Sequence, residues 1–157
     1  MSASKSELEF HRKMAAKCFN DAWDFLGMKK RTRADDLRML QLAHASRFHW
    51  GIVGTPANQA VGDWQISRVY AELRQPDLAL RFARSSLLAC KKKKLRDILP
   101  TAYEAVARAY AAGKDSRRAS KFLTLARQRL DGLTIGREDR EVYLGQILDT
   151  QRLIDGL

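Results

Sequence analysis

Ile66-Ser67-Arg68-Val69-Tyr70-Ala71 is answered forty positions later by Val106-Ala107-Arg108-Ala109-Tyr110-Ala111, and the match continues with Ala79 and Ala119, Phe82 and Phe122, Ser86 and Ala126. A fixed period of roughly 20–50 residues carried on helical segments marks stacked helix hairpins, each burying its apolar face against the next. Stacks of this kind are surfaces for holding other macromolecules, and they have no need of catalytic groups.

Working outward from that repeat, the chain reads as all-α with about seven antiparallel helices. The first runs from about Ser6 to Leu26, with Leu8, His11, Ala15, Cys18, Ala22 and Phe25 on one face at helical spacing. The second, from about Ala34 to Trp50, is apolar on nearly all sides and is expected to be largely buried, with Gly51 and Gly54 bounding a short loop. Thr55-Pro56 and Pro76 open the third and fourth helices, because proline suits the first helical turn. The fifth helix starts between Asp97 and Pro100 and ends at Gly113; the sixth spans Asp115 to Leu130; the seventh begins near Glu138. The organisation is one domain over 1–157, with a degenerate first hairpin in 1–54, clear hairpins in 55–96 and 97–133, and a capping helix in 137–157.

Composition agrees. The 157 residues are 45% hydrophobic and 30% charged, enough for a continuous core without metal or disulfide support. Cys18 and Cys90 are far apart with no C-x-x-C pair, which reads as two thiols in a reducing compartment. No apolar stretch approaches a membrane span, and the N-terminal residues lack an apolar signal core, so the cytoplasm is expected. The formal charge is +11, and cutting at the loops gives +4 for 1–54, +5 for 55–112 and +2 for 113–157. Counted that way the excess is spread out, with peaks at Lys29–Arg33 and Lys91–Arg96. Such a balance favours acidic partners.

Residues 60–93 and 100–133 resemble tetratricopeptide (TPR) repeats. Tyr70 and Tyr110 take the aromatic site that closes the first helix, Ala79 and Ala119 the small site on the second, and Ser86 and Ala126 a further small site. Tyr103 stands where that family often has tryptophan. The chain departs from the family where Ser67 and Ala107 replace its usual glycine, and the period is forty rather than thirty-four. The resemblance implies a right-handed superhelix whose first helices line a concave surface. His44–Trp50 together with Trp64–Tyr70 is also similar to a group of small uncharacterised bacterial proteins, which supplies no function to carry over.

Several residue sets bear chemistry. His11 and His49 lie at nearly equal distances from the turn near residue 30, with Glu7 one turn before His11. Glu7, His11 and His49, with His44 nearby, are therefore candidate ligands for zinc, nickel or iron, against the alternative of a polar hairpin end. Ser46, Cys18 and Cys90 lack the strand-to-helix context, orienting acid and oxyanion hole of a nucleophile. Gly51-Ile52-Val53-Gly54-Thr55 lacks the lysine of a phosphate loop. Trp23, Trp50 and Trp64 read as core.

Basic residues are the stronger candidates. Arg74, Arg81, Arg84 and Lys91 are spaced as one stripe along the fourth helix, and Arg117, Arg118 and Lys121 begin a comparable surface on the sixth. Under the TPR resemblance Arg68 and Arg108 fall on the concave surface, where each can clamp a carboxylate. The leading expectation is a non-enzymatic, cofactor-free module that binds an acidic peptide or protein through Arg68, Arg108, Arg74, Arg81, Arg84 and Lys121, with self-association open to it. Nucleic-acid binding through the basic helix faces is the alternative, and a metal-dependent enzyme at the first hairpin a third reading. No membrane partner is expected.

Overall fold

The computed structural model describes residues 3–157 and holds α1 (Lys5–Leu26), α2 (Arg33–Val53), α3 (Pro56–Glu72), α4 (Pro76–Lys92), α5 (Leu99–Ala112), α6 (Ser116–Asp131) and α7 (Arg137–Asp155). Local chemistry sets these limits. Ser4, Thr32 and Thr55 each accept from the backbone three residues on, while Glu7, Asp35 and Asn58 reach back to the cap. Those reciprocal pairs satisfy orphan donors at three of the helix starts. Asp115 caps α6 by accepting from the Arg118 amide.

The exits of α3, α4 and α5 repeat at twenty residues. Arg74, Lys94 and Lys114 take positive φ (57°, 55° and 61°), and the amides of Gln75, Leu95 and Asp115 return to the carbonyls of Tyr70, Cys90 and Tyr110. Each is a left-handed helix stop that uses a cation where glycine is usual. A positive side chain there complements the helix macrodipole and offsets part of the backbone cost.

Two expectations for α2 need correction. The helix does not stop at Gly51 but continues through Val53. Gly54 ends it by turning to extended backbone (φ −89°, ψ 166°), where a Cβ would lie 2.5 Å from the Trp50 carbonyl oxygen. Nor is α2 largely buried: Met39, Ala43 and Ser46 are, whereas Leu37, Phe48 and Ile52 are exposed. The reason is its place in the stack, because among the described residues its backbone packs on α1 and α3 alone, with one ring contact to α4 at Phe82.

Consecutive helices form antiparallel hairpins, α1 with α2, α3 with α4 and α5 with α6, and α7 closes on α5 and α6. The odd-numbered helices also pack on each other in series, α1 to α3 to α5 to α7, while among the described residues the backbones of the even-numbered ones stay apart and α2 reaches α4 through the His44 ring, edge-on to Phe82 at 5.5 Å. Odd helices thus make a close inner row and even helices a splayed outer row. A stack with one row in contact and the other apart curves toward the row in contact. α5 has neighbours on four sides, and every residue from Pro100 to Ala111 is buried. Its alanines let those neighbours approach.

Buried serines fix the hairpins. Ser67 Oγ donates to the Ala79 carbonyl and Ser86 Oγ to the Ala60 carbonyl, both at 2.8 Å, joining α3 and α4 in both directions. Ser46 Oγ donates to the Ala15 carbonyl at 2.8 Å, from α2 to α1. Ser46 stands forty residues before Ser86, but Ala15 stands forty-five before Ala60. The first hairpin therefore obeys the same rule with α1 displaced by five residues, which places Phe25 where Tyr70 and Tyr110 stand.

Candidate functional site

The inner row holds a buried polar knot around Glu104. This carboxylate is 1% exposed and accepts from Arg108 Nε at 2.9 Å, from the Thr150 hydroxyl and from Trp64 Nε1 at 3.4 Å. Arg108 extends to the Gln146 carbonyl at 3.5 Å and is itself buried. Arg68, on the neighbouring helix, lays its guanidinium 5.2 Å from the centre of the Trp23 ring, and Trp23 in turn packs on Trp64 at 5.5 Å. Its Nη1 is buried with no hydrogen-bond partner. Burial, and then the like charge of Arg108, pull the Arg68 guanidinium below its ordinary range, against the weaker opposite pull of Glu104. Of the two guanidinia Arg108 alone is bonded to Glu104, while Arg68 feels it, Asp149 and Glu72 only through space.

Sequence reasoning found Arg68 and Arg108 but missed Glu104, Trp64 and Thr150 as their partners. The available signal was a lone carboxylate inside the apolar run Pro100–Ala112, one turn before Arg108. Beside the knot, at the C-terminal ends of the inner helices, lies a cavity of about 780 Å³. Arg74, Arg108 and Lys114 line it together with Glu72, and Leu153 and Leu157 stand on the α7 side. Arg74 thus parts from the α4 stripe: it stands before that helix, in the left-handed turn, and faces this cavity.

On the outer row Arg81, Arg84 and Lys121 are exposed. Arg84 Nη2 donates to the Tyr110 hydroxyl at 3.0 Å, and Arg118 lies 4.6 Å from the centre of the same ring. Two turns away Lys91 and Arg129 flank Tyr103 at 5.5 and 6.0 Å. Lys121 stands with Arg117 and Arg118 around a depression at the start of α6.

At the first hairpin His11 and His49 do meet, Nδ1 to Nδ1 at 2.7 Å, with Phe10 edge-on to both rings. One Nδ1 carries the hydrogen and the other accepts it. Burial, then His11, lower the His49 pKa. The larger ligand set does not assemble: Glu7 is bound to the Ser4 cap, and His44 bonds the Tyr70 hydroxyl at 3.1 Å. Burial lowers the His44 pKa. Among the described residues no three His, Cys, Asp or Glu side chains gather to hold an ion. Ser46 is fully buried and committed to Ala15. Burial raises both thiols, Cys90 to about 11, so neither is a thiolate at neutral pH. No helix among the described residues is long and apolar enough to cross a membrane.

Comparison of the chain with protein-family models, curated proteins and solved structures returned no match.

Proposed function

We propose that the chain is a TPR-like interaction module whose inner groove takes an acidic peptide or an acidic segment of a partner protein. The observation that carries this reading is the Arg68 guanidinium, largely buried beside the like charge of Arg108, with one nitrogen unpartnered. A buried donor without an acceptor is costly, and a ligand carboxylate supplies both the missing acceptor and the missing charge. The neighbouring cavity is lined by the cations Arg74, Arg108 and Lys114 against the single acid Glu72, with Leu153 and Leu157 as its apolar wall. The resemblance to TPR hairpins is supported by the two-row packing, the Tyr70 and Tyr110 wedges, half-buried and buried respectively, and the buried small residues Ala79 and Ala119.

Calorimetric titration with a ten-residue acidic peptide bearing a free C-terminal carboxylate tests the reading. Arg68→Gln is expected to weaken binding about tenfold, the effect of losing one charge-assisted hydrogen bond. Its unfolding midpoint should hold or rise, because a strained buried cation has been removed. Equal affinity for both proteins, or no binding by either, would sink the proposal.

A further inference from the structure

Cutting the chain at its loops hides where the charge lies. Residues 74–131 hold fifteen of the 29 Lys and Arg but only five of the 18 Asp and Glu, so almost the whole excess of +11 belongs to α4, α5, α6 and their turns. Of the five acids, Glu104 is buried against Arg108, and Asp115 is bound to the Arg118 amide and side chain. Little is left to neutralise the surface.

The placement of the cations is specific. Among the described residues α4 and α6 both pack on α5 while their own backbones stay apart, which sets an outer cleft between them with Tyr103 and Tyr110 of α5 beneath it. Cations from opposite walls converge on each ring: Arg84 and Arg118 at Tyr110, Lys91 and Arg129 at Tyr103. Seven residues separate the two tyrosines, so the clusters repeat about 10 Å apart along the cleft. The same surface is poor in apolar groups. Among the described residues, Leu88 is the one large apolar side chain exposed between positions 53 and 141. Protein interfaces need a dry apolar centre, whereas nucleic-acid interfaces are polar and positively charged.

We infer that the outer cleft between α4 and α6 binds the phosphodiester backbone of single-stranded nucleic acid. Walls that converge on one line of rings serve one line of phosphates, which a single strand presents. The tyrosine rings are almost fully covered, so they support the cations rather than stack on bases, and binding is indifferent to sequence. This surface is separate from the Arg68 groove and does not depend on it.

The test is fluorescence anisotropy with a labelled twelve-nucleotide oligouridylate on the full chain across a salt series. Four phosphate contacts predict that log K falls against log salt with a slope of about −2.8. Arg84→Gln/Arg129→Gln should reduce the slope to about −1.4. Lys91→Gln/Arg129→Gln, which breaks no hydrogen bond in the fold and removes both cations at Tyr103, should reduce the slope as far and guards against misfolding of the first pair. Arg12→Gln/Lys13→Gln on α1 removes the same charge and should change neither, and Arg68→Gln should still bind. The inference is overturned if the α1 pair lowers affinity as much as the cleft pairs, since net charge alone would then explain binding. It is equally overturned if polyglutamate competes as well as the oligonucleotide, or if a duplex of the same length binds more tightly.

Discussion

Tyr70 and Tyr110 occupy the same place forty residues apart, and their surroundings were built to one plan and finished differently. Each ring packs on a phenylalanine of the following helix, Phe82 at 5.7 Å and Phe122 at 5.6 Å. Each hydroxyl meets a side chain of the preceding outer helix, from positions that are themselves forty apart: His44 for Tyr70 and Arg84 for Tyr110. The first partner is half-buried and titrates; the second is exposed, permanently charged and joined by Arg118 across the ring. Position 63 against position 103 shows the same divergence. Asp63 binds Arg47 and Ser85 at 2.7 Å each and neutralises Arg47, while Tyr103 leaves Lys91 and Arg129 unopposed. The repeat fixes where side chains stand, and substitution at the repeated positions decides which surface becomes cationic.

The largest expected effect comes where equivalent positions of the two units touch, at Trp64 and Glu104. Glu104→Leu strands Arg108 without its carboxylate and should lower stability by about 3–5 kcal/mol, measured by urea unfolding. If the loss is below about 1 kcal/mol, Arg108 has found another acceptor and the knot is not a unit.

The next prediction separates the tyrosine sites by pH. Burial depresses the His44 and His49 pKa values, so below the ordinary histidine range of about 6.5 the unfolded chain binds more protons than the folded one. Stability must then fall as pH drops from 7.5 to 5.5. His44→Gln/His49→Gln should flatten the fall, whereas Arg84→Gln at the matching site should leave it intact.

The smallest effect concerns the turns, where the two units should behave alike. Arg74→Gly and Lys114→Gly each relieve a left-handed non-glycine residue and should raise stability by about 0.5–1 kcal/mol. A loss at either position, read from the thermal midpoint, would show that the cation at the helix end outweighs backbone strain there.

Much of this architecture was legible because caps, prolines and left-handed stops act locally. The helix limits at Pro56, Pro76 and Gly113 follow from single residues and their neighbours. The first hairpin hid its kinship because five extra residues between Ala15 and Ser46 break a fixed-period comparison, although the packing is retained. The exposure of Leu37, Phe48 and Ile52 was not legible, since apolar residues around a helix do not reveal how many neighbours it has. At the candidate sites, helix levels brought His11 and His49 together correctly, but Glu7 was claimed by its own N-cap. Arg68 and Arg108 were found from the repeat; the groups that enclose them come from α1, α5 and α7, which no local pattern ties together.

The paired serine bonds between α3 and α4 have a mechanical meaning. Ser67 and Ser86 rivet the two helices from opposite sides, and a slip of one residue, about 1.5 Å, would shear both rivets at once. That hairpin is a stiff slat. In the α5–α6 hairpin the matching positions are Ala107 and Ala126, which carry no hydroxyl to make either rivet. Sliding there meets only side-chain packing and the contacts of Arg118 and Arg129 with the tyrosine rings, so the basic cleft has one wall on a stiff slat and the other on a compliant one.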